Sequence, residues 1–216
     1  MHERPVPRLV AATDDERLSR PDYRERLEAL LAAGCPAILV RAKRLGGRDL
    51  YKYVCYTRER CAARGAELWV GDRADIARAA EADGLQLPER GLSMAGARRA
   101  IGPPSCDGPR PRIGRSVHSF DGALAAAGEG ADHIVVGAIY ATVSHPGVEP
   151  ARPELLARIR AALDARGLPI PILAIGGLTP ERAAEVGAAG AAGVVAVRAL
   201  WDAEDPTRAV HAFLER

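Results

Sequence analysis

The segment Ile172 to Val197 reads ILAIGGLTPERAAEVGAAGAAGVVAV. A short apolar run, ILAIGG, opens it and another, GVVAV, closes it; between them apolar residues recur at three and four, the spacing of a helix with one buried face. Thr179-Pro180-Glu181 places a capping hydroxyl before a proline, whose missing N–H costs nothing at the first helical position. Ala189-Gly190 supplies the glycine on which helices end. The two runs are apolar throughout instead of alternating, as in parallel strands covered on both faces. The segment is therefore a strand, a crossover helix and a parallel strand.

The same unit recurs along the chain. Strand-like runs lie at Leu9–Thr13, Ala37–Arg41, Glu67–Gly71, Gly84–Leu87, Arg112–Val117, His133–Gly137, Ile172–Gly177 and Gly193–Val197. Helical periodicity marks Asp22–Ala33, Gly47–Arg64, Asp72–Ala82, Ser93–Ile101, Phe120–Gly128, Pro153–Arg166, Thr179–Ala189 and Pro206–Leu214. Eight units in 216 residues average 27 each, which predicts an α/β chain closed into a single (β/α)8 TIM barrel, one domain over residues 1–216. An open doubly wound sheet would carry a glycine-rich nucleotide fingerprint after its first strand, and none is present. The proline-rich stretch Gly102–Pro111 falls between a helix and the next strand, on the stability face, and reads as an inert insertion.

Composition narrows the function classes. Thirty Lys+Arg against 28 Asp+Glu leave a net charge of +2, without the field of a general nucleic-acid binder. No apolar stretch approaches the roughly 20 residues of a membrane span, and the opening MHERPVPRLV does not read as a signal peptide. Cys35, Cys55, Cys61 and Cys106 lie apart with no metal-ligand spacing, so reduced thiols and a cytoplasmic setting are expected, with neither membrane nor nucleic-acid partner. Only 4% of residues are aromatic, so the core must be aliphatic. Oligomeric state stays open, a homo-oligomer included.

In such a barrel the chemistry sits where strands end at their carboxyl termini. These positions are polar: Arg41 and Lys43; Asp72 and Arg73; Gln86 and Glu89; Ser116, His118 and Ser119; then Tyr140, Thr142, Ser144, His145 and Arg152 in the loop Gly137–Pro153, which is long enough for a lid. Gly176 and Gly177 follow strand seven and Arg198 follows strand eight, where barrel phosphate sites are built, so a small phosphorylated ligand is expected. His118, directly after a strand and beside hydroxyls, is the acid/base candidate. Arg41 with Lys43 reads equally as an anion site or as a salt-bridge partner for Asp72. His2, His133 and His211 read as structural.

Read together, AILVRAK (37–43), GDRADIA (71–77), GLQLPERGLS (84–93), IGRSVHS (113–119), GADHIVVGAIYAT (130–142), IPILAIGGLTPE (170–181) and AAGVVAVRALWDAEDP (191–206) resemble the thiamine phosphate synthase/TenI superfamily over nearly the whole chain. The synthase branch joins a pyrimidine diphosphate to a thiazole phosphate and uses magnesium to carry off pyrophosphate. Against its pattern this chain has Leu39 for glutamine, Ala42 for glutamate, Gly71 for asparagine, Gln86 for histidine, Gly91 for the second metal carboxylate and His145 for lysine, while Asp72 is kept. GLQLP and IGRSVHS resemble instead the TenI branch of thiazole tautomerases.

That resemblance implies aromatisation of a carboxythiazole phosphate tautomer by a 1,3-proton shift, with His118 as the shuttle and no metal or other cofactor. It implies Gly176, Gly177, Val197 and Arg198 at the phosphate, with Arg198 replacing the branch's usual serine. Arg41 and Lys43 are placed near the ring carboxylate, and Asp72, Gln86, Ser116, Thr142 and His145 as further substrate contacts. The alternatives are a synthase, which alone would need magnesium, and a non-catalytic thiazole or thiamine phosphate binding protein.

Overall fold

The computed structural model describes residues 4–103, 109–142 and 149–215. Eight strands close into an all-parallel barrel in sequence order: β1 (Leu9–Ala12), β2 (Ala37–Val40), β3 (Glu67–Gly71), β4 (Gly84–Leu87), β5 (Arg112–Val117), β6 (His133–Val136), β7 (Ile172–Ile175) and β8 (Gly193–Ala196), with β8 pairing back onto β1. The (β/α)8 barrel expected from the sequence is the fold.

Among the described residues ten helices lie between these strands: α1 (Asp15–Leu18), α2 (Tyr23–Ala32), α3 (Gly47–Arg64), α4 (Ala74–Ala79), α5 (Met94–Ile101), α6 (Phe120–Gly128), α7 (Arg152–Asp164), α8 (Pro180–Ala188), α9 (Arg198–Trp201) and α10 (Pro206–Leu214). Eight were expected. The two additions, α1 and α9, have four residues each and are too short to show a period. The expected helix Asp72–Ala82 shrinks to α4, because Asp72 adopts φ 64° and cannot join a right-handed turn.

Side chains and glycines bound these helices, Thr179 as the sequence placed it. Thr179 accepts from the Arg182 N–H and Asp205 from the Arg208 N–H, each before a proline. Gly65 ends α3 at φ 66°. Within the insertion Gly102–Pro111, residues 104–108 lie outside the described residues, as does Cys106. Cys35, Cys55 and Cys61 are free, and burial pushes the thiols of Cys35 and Cys61 up to about 12. Among the described residues no helix is long and apolar enough to cross a membrane.

Alternation along each strand sorts the core into two layers. Leu9, Ala11, Ile38, Val40, Leu68 and Val70 face the helices, whereas Val10, Ala12, Ala37, Leu39, Trp69, Val135, Leu173 and Val195 fill the barrel. Trp69 occupies the interior because its β4 neighbour is Gly84, where a Cβ would stand 2.7 Å from the indole. Below it the indole N–H donates to Glu67 at 2.7 Å, and Arg112 donates to both Glu67 oxygens at 3.0 Å. The amino-terminal end of the barrel is thereby plugged, and the candidate site lies at the other end.

Candidate active site

The open rim begins at Thr13, which follows β1. Its buried hydroxyl accepts from the Arg41 N–H at 2.9 Å and donates to the Arg41 carbonyl at 3.1 Å, fixing where β2 ends. Just beyond, the Asp15 carboxylate accepts three N–H groups, from Lys43 (2.9 Å), Arg44 (2.8 Å) and Leu45 (3.3 Å). Burial alone would raise the Asp15 pKa; those backbone donors and Arg44 outweigh it and hold the carboxyl below its usual range. Lys43 is thus exposed on an anchored loop. Of the two readings open for Arg41, the salt bridge does not form: no ion pair joins Arg41 or Lys43 to Asp72. The nearby Arg73 is paired with Asp75 instead, at 2.6–2.9 Å.

Inside the mouth, a polar string crosses three strands. His133 Nε2 lies 2.8 Å from Gln86 Oε1, and Gln86 Nε2 donates to Ser116 Oγ at 2.9 Å. Its start on β6 is fully buried, 4.5 Å from the Trp69 ring centre, and burial, with the Arg112 cation adding to it, pushes the imidazole down to about 3. His133 is therefore neutral, so its Nε2 and the Gln86 amide form a neutral hydrogen bond. The structural reading of His133 holds, and the residue bonds to Gln86, an expected substrate contact.

His118 stands at the carboxyl end of β5 with 61% of its side chain exposed. Its Nδ1 lies 2.8 Å from Glu89 Oε2, and its backbone N–H points at Glu89 Oε1 from 3.4 Å. Sequence reasoning placed Glu89 on the rim without a role. The loop bearing it is held from outside the barrel by Arg115, buried to 5% exposure, which donates to the carbonyls of Pro88 (3.0 Å) and Leu92 (2.7 Å) and pairs with Glu129 at 3.3 Å. Neither Arg115 nor Asp15 was singled out from the sequence, because their backbone partners lie 23 to 30 residues away.

On the opposite side, Gly176 (φ 99°) and Gly177 (φ 64°) pass so close to the loop after β6 that a Cβ would meet Ala138 at 2.6 Å or the Ala141 carbonyl at 2.6 Å. Their lack of side chains is required by packing, whatever ligand binds. Arg198 opens α9 next to Val197 and donates to Thr142 Oγ1 at 3.2 Å, joining the expected phosphate corner to the first part of the β6–α7 loop. Tyr140 in that loop bonds Glu185 at 2.6 Å beneath the Arg182 guanidinium, and burial together with Glu185 raises its phenol to about 12. His145 and Ser144, and with them the middle of the expected lid, lie outside the described residues. Among the described residues no group of three or more His, Cys, Asp or Glu side chains gathers as a metal site.

Residues 9–200 match the TMP-TENI family, described as thiamine monophosphate synthase. The chain belongs to this family. It is an enzyme family of thiamine biosynthesis, and the resemblance seen in the sequence holds over the whole barrel. A thiamine-phosphate synthase of Thermobifida fusca is 40% identical over 210 residues, covering 97% of this chain and 91% of that protein. A thiamine biosynthesis bifunctional protein ThiM/ThiE of Symbiobacterium thermophilum is 41% identical over 190 residues; the match covers 88% of this chain and 37% of that longer protein. Among solved structures, thiamine phosphate pyrophosphorylase from Pyrococcus furiosus superposes with a TM-score of 0.80 at 28% identity, covering 96% of this chain and 94% of its own.

Proposed function

We propose that this family member is a thiazole tautomerase-like isomerase that aromatises a carboxythiazole phosphate. The observation that carries the reading is His118: a titratable imidazole on the rim, exposed to an incoming ring and backed by a carboxylate at 2.8 Å. A 1,3-proton shift needs one base that removes a carbon-bound proton and returns it at the other end of the conjugated system, with the substrate held still. Arg41 and Lys43 would meet the ring carboxylate, Gln86, Ser116 and Thr142 the ring and its substituents, and Gly176, Gly177, Val197 and Arg198 the phosphate. Aromatisation drives the reaction forward, so the single domain 1–216 would work without a cofactor.

The second reading, a thiamine phosphate synthase, is favoured by the names of the relatives. That reaction would draw on magnesium at the diphosphate. The residues present do not fit the metal: Asp72 remains on the rim, but Gly91 stands where the second carboxylate belongs and both Glu89 oxygens face His118. Position 86, a histidine in the synthase pattern, is a glutamine already committed to His133 and Ser116.

Two incubations separate the readings. With the non-aromatic thiazole tautomer, the protein is expected to accelerate aromatisation, and His118→Ala to lose about 100-fold or more in kcat, the contribution of a positioned acid/base, while still binding product. With both synthase substrates and magnesium, robust thiamine phosphate formation would overturn the tautomerase reading. Ligand binding with no turnover in either assay would leave a binding protein.

A further inference from the structure

The loop between β4 and α5 places one carboxylate, Glu89, against the imidazole that the proposed function uses as its base, and the placement is over-determined. Arg115 grips the carbonyls of Pro88 and Leu92 on either side of it. Gly122, in the first turn of α6, leaves the space the carboxylate enters: a Cβ there would stand 2.7 Å from Glu89 Oε1. The amino terminus of α6, capped by Ser119, favours negative charge at this point. Glu89 therefore has a built position, and its two oxygens meet His118 at the ring and at the backbone.

We infer that Glu89 is the positioning residue of His118: it holds the neutral imidazole in the Nδ1–H tautomer, so that Nε2 is the atom that takes and returns the substrate proton. The chemistry of the pair dictates this. An ionised carboxylate is an acceptor only, so a 2.8 Å contact with Nδ1 requires the ring proton to be on Nδ1. The other nitrogen then carries the lone pair, and among the described residues nothing donates to it. When Nε2 removes the carbon-bound proton, its lone pair becomes the new N–H bond and the C–H electrons move into the ring system. The imidazolium so formed faces the Glu89 carboxylate, and the same proton is delivered from Nε2 to the other end of the 1,3 system, restoring the starting tautomer. No proton is gained or lost.

This inference rests on the tautomerase reading for its kinetic consequence, but not for its tautomer. The test uses the full-length protein labelled with 15N, at a pH where the imidazole is neutral, with the His118 ring signals assigned by their loss in His118→Ala. Multiple-bond proton–nitrogen spectra are expected to show Nδ1 protonated in the wild type. Glu89→Gln, whose amide oxygen still accepts, is expected to keep that tautomer. Glu89→Ala is expected to lose it and to lower kcat roughly 10- to 100-fold, taking as a guide the range lost when the outer partner of a metal-ligating histidine is removed, with KM unchanged within about twofold. Glu89 is 37% exposed, so its removal should leave the denaturation midpoint in place. A wild-type ring protonated on Nε2, or a Glu89→Ala protein with wild-type tautomer and kcat, overturns the inference. If the wild type turns over no thiazole tautomer yet shows Nδ1–H, the functional reading falls and the assigned tautomer stands.

Discussion

Arg115 ties the β4–α5 loop to β5 from the helix side of the barrel. It lies on the helix side of β5, 5% exposed, and makes two charge-assisted bonds to carbonyls of the β4–α5 loop. Such bonds contribute about 1.5–3 kcal/mol each, so replacing the guanidinium while keeping the apolar stem, as in Arg115→Met, removes at most about 6 kcal/mol. The lower end applies, because Pro88, Glu89, Arg90 and Leu92 are exposed and water can reach the released carbonyls. The pair with Glu129, itself half-exposed, adds no more than about 1 kcal/mol. The expected loss is about 3 kcal/mol, or roughly 6–12 °C in Tm for a chain of this size. Urea and thermal denaturation of Arg115→Met beside Glu129→Ala measure it. A variant within about 1 kcal/mol of wild type, or one no weaker than Glu129→Ala, would refute the claim that the backbone carbonyls are what Arg115 holds.

Two further perturbations probe the barrel interior and another part of the rim. Burial lowers His133 to about 3 from 6.5, so the unfolded chain takes up a proton before the native one does, and stability falls as pH drops through 6.5. Between about pH 7.5 and 5 the loss is about 2 kcal/mol; it should vanish in His133→Phe, and an equal acid slope in that variant would assign the effect elsewhere. Asp15→Ala frees three N–H groups of the loop carrying Lys43. KM for the anionic thiazole is expected to rise about fivefold to tenfold, near the worth of one hydrogen bond, with kcat little changed; an unaltered KM would separate the loop's order from substrate binding.

The barrel was legible because its strands are continuous apolar runs and its helix boundaries are written in local residues, such as Thr179-Pro180 and Asp205-Pro206. The rim was legible to the same extent, since knowing where β5 ends is enough to place His118 there. What could not be read is every contact between segments that only closure brings together. Glu89 meets His118 across 29 residues and His133 meets Gln86 across 47. A single sequence also gives no sign that Arg115 faces outward to hold a loop while its neighbour Ser116 faces inward to meet Gln86. Strand alternation fixes their opposite directions, but not what each one reaches. The four-residue helices α1 and α9 escaped for a different reason, being shorter than two turns.

Gly114 on β5 lies between β4 and β6, paired with Gln86 on one side and His133 on the other. A Cβ there would stand 2.1 Å from His133 Nε2 and 2.4 Å from Gln86 Oε1. Positions 86, 114 and 133 therefore share one small volume, and a residue can grow at 114 only if the imidazole shrinks and the amide finds another partner in the same step. A library that randomises these positions singly will return only losses. Redesign of this part of the barrel interior has to vary the three together.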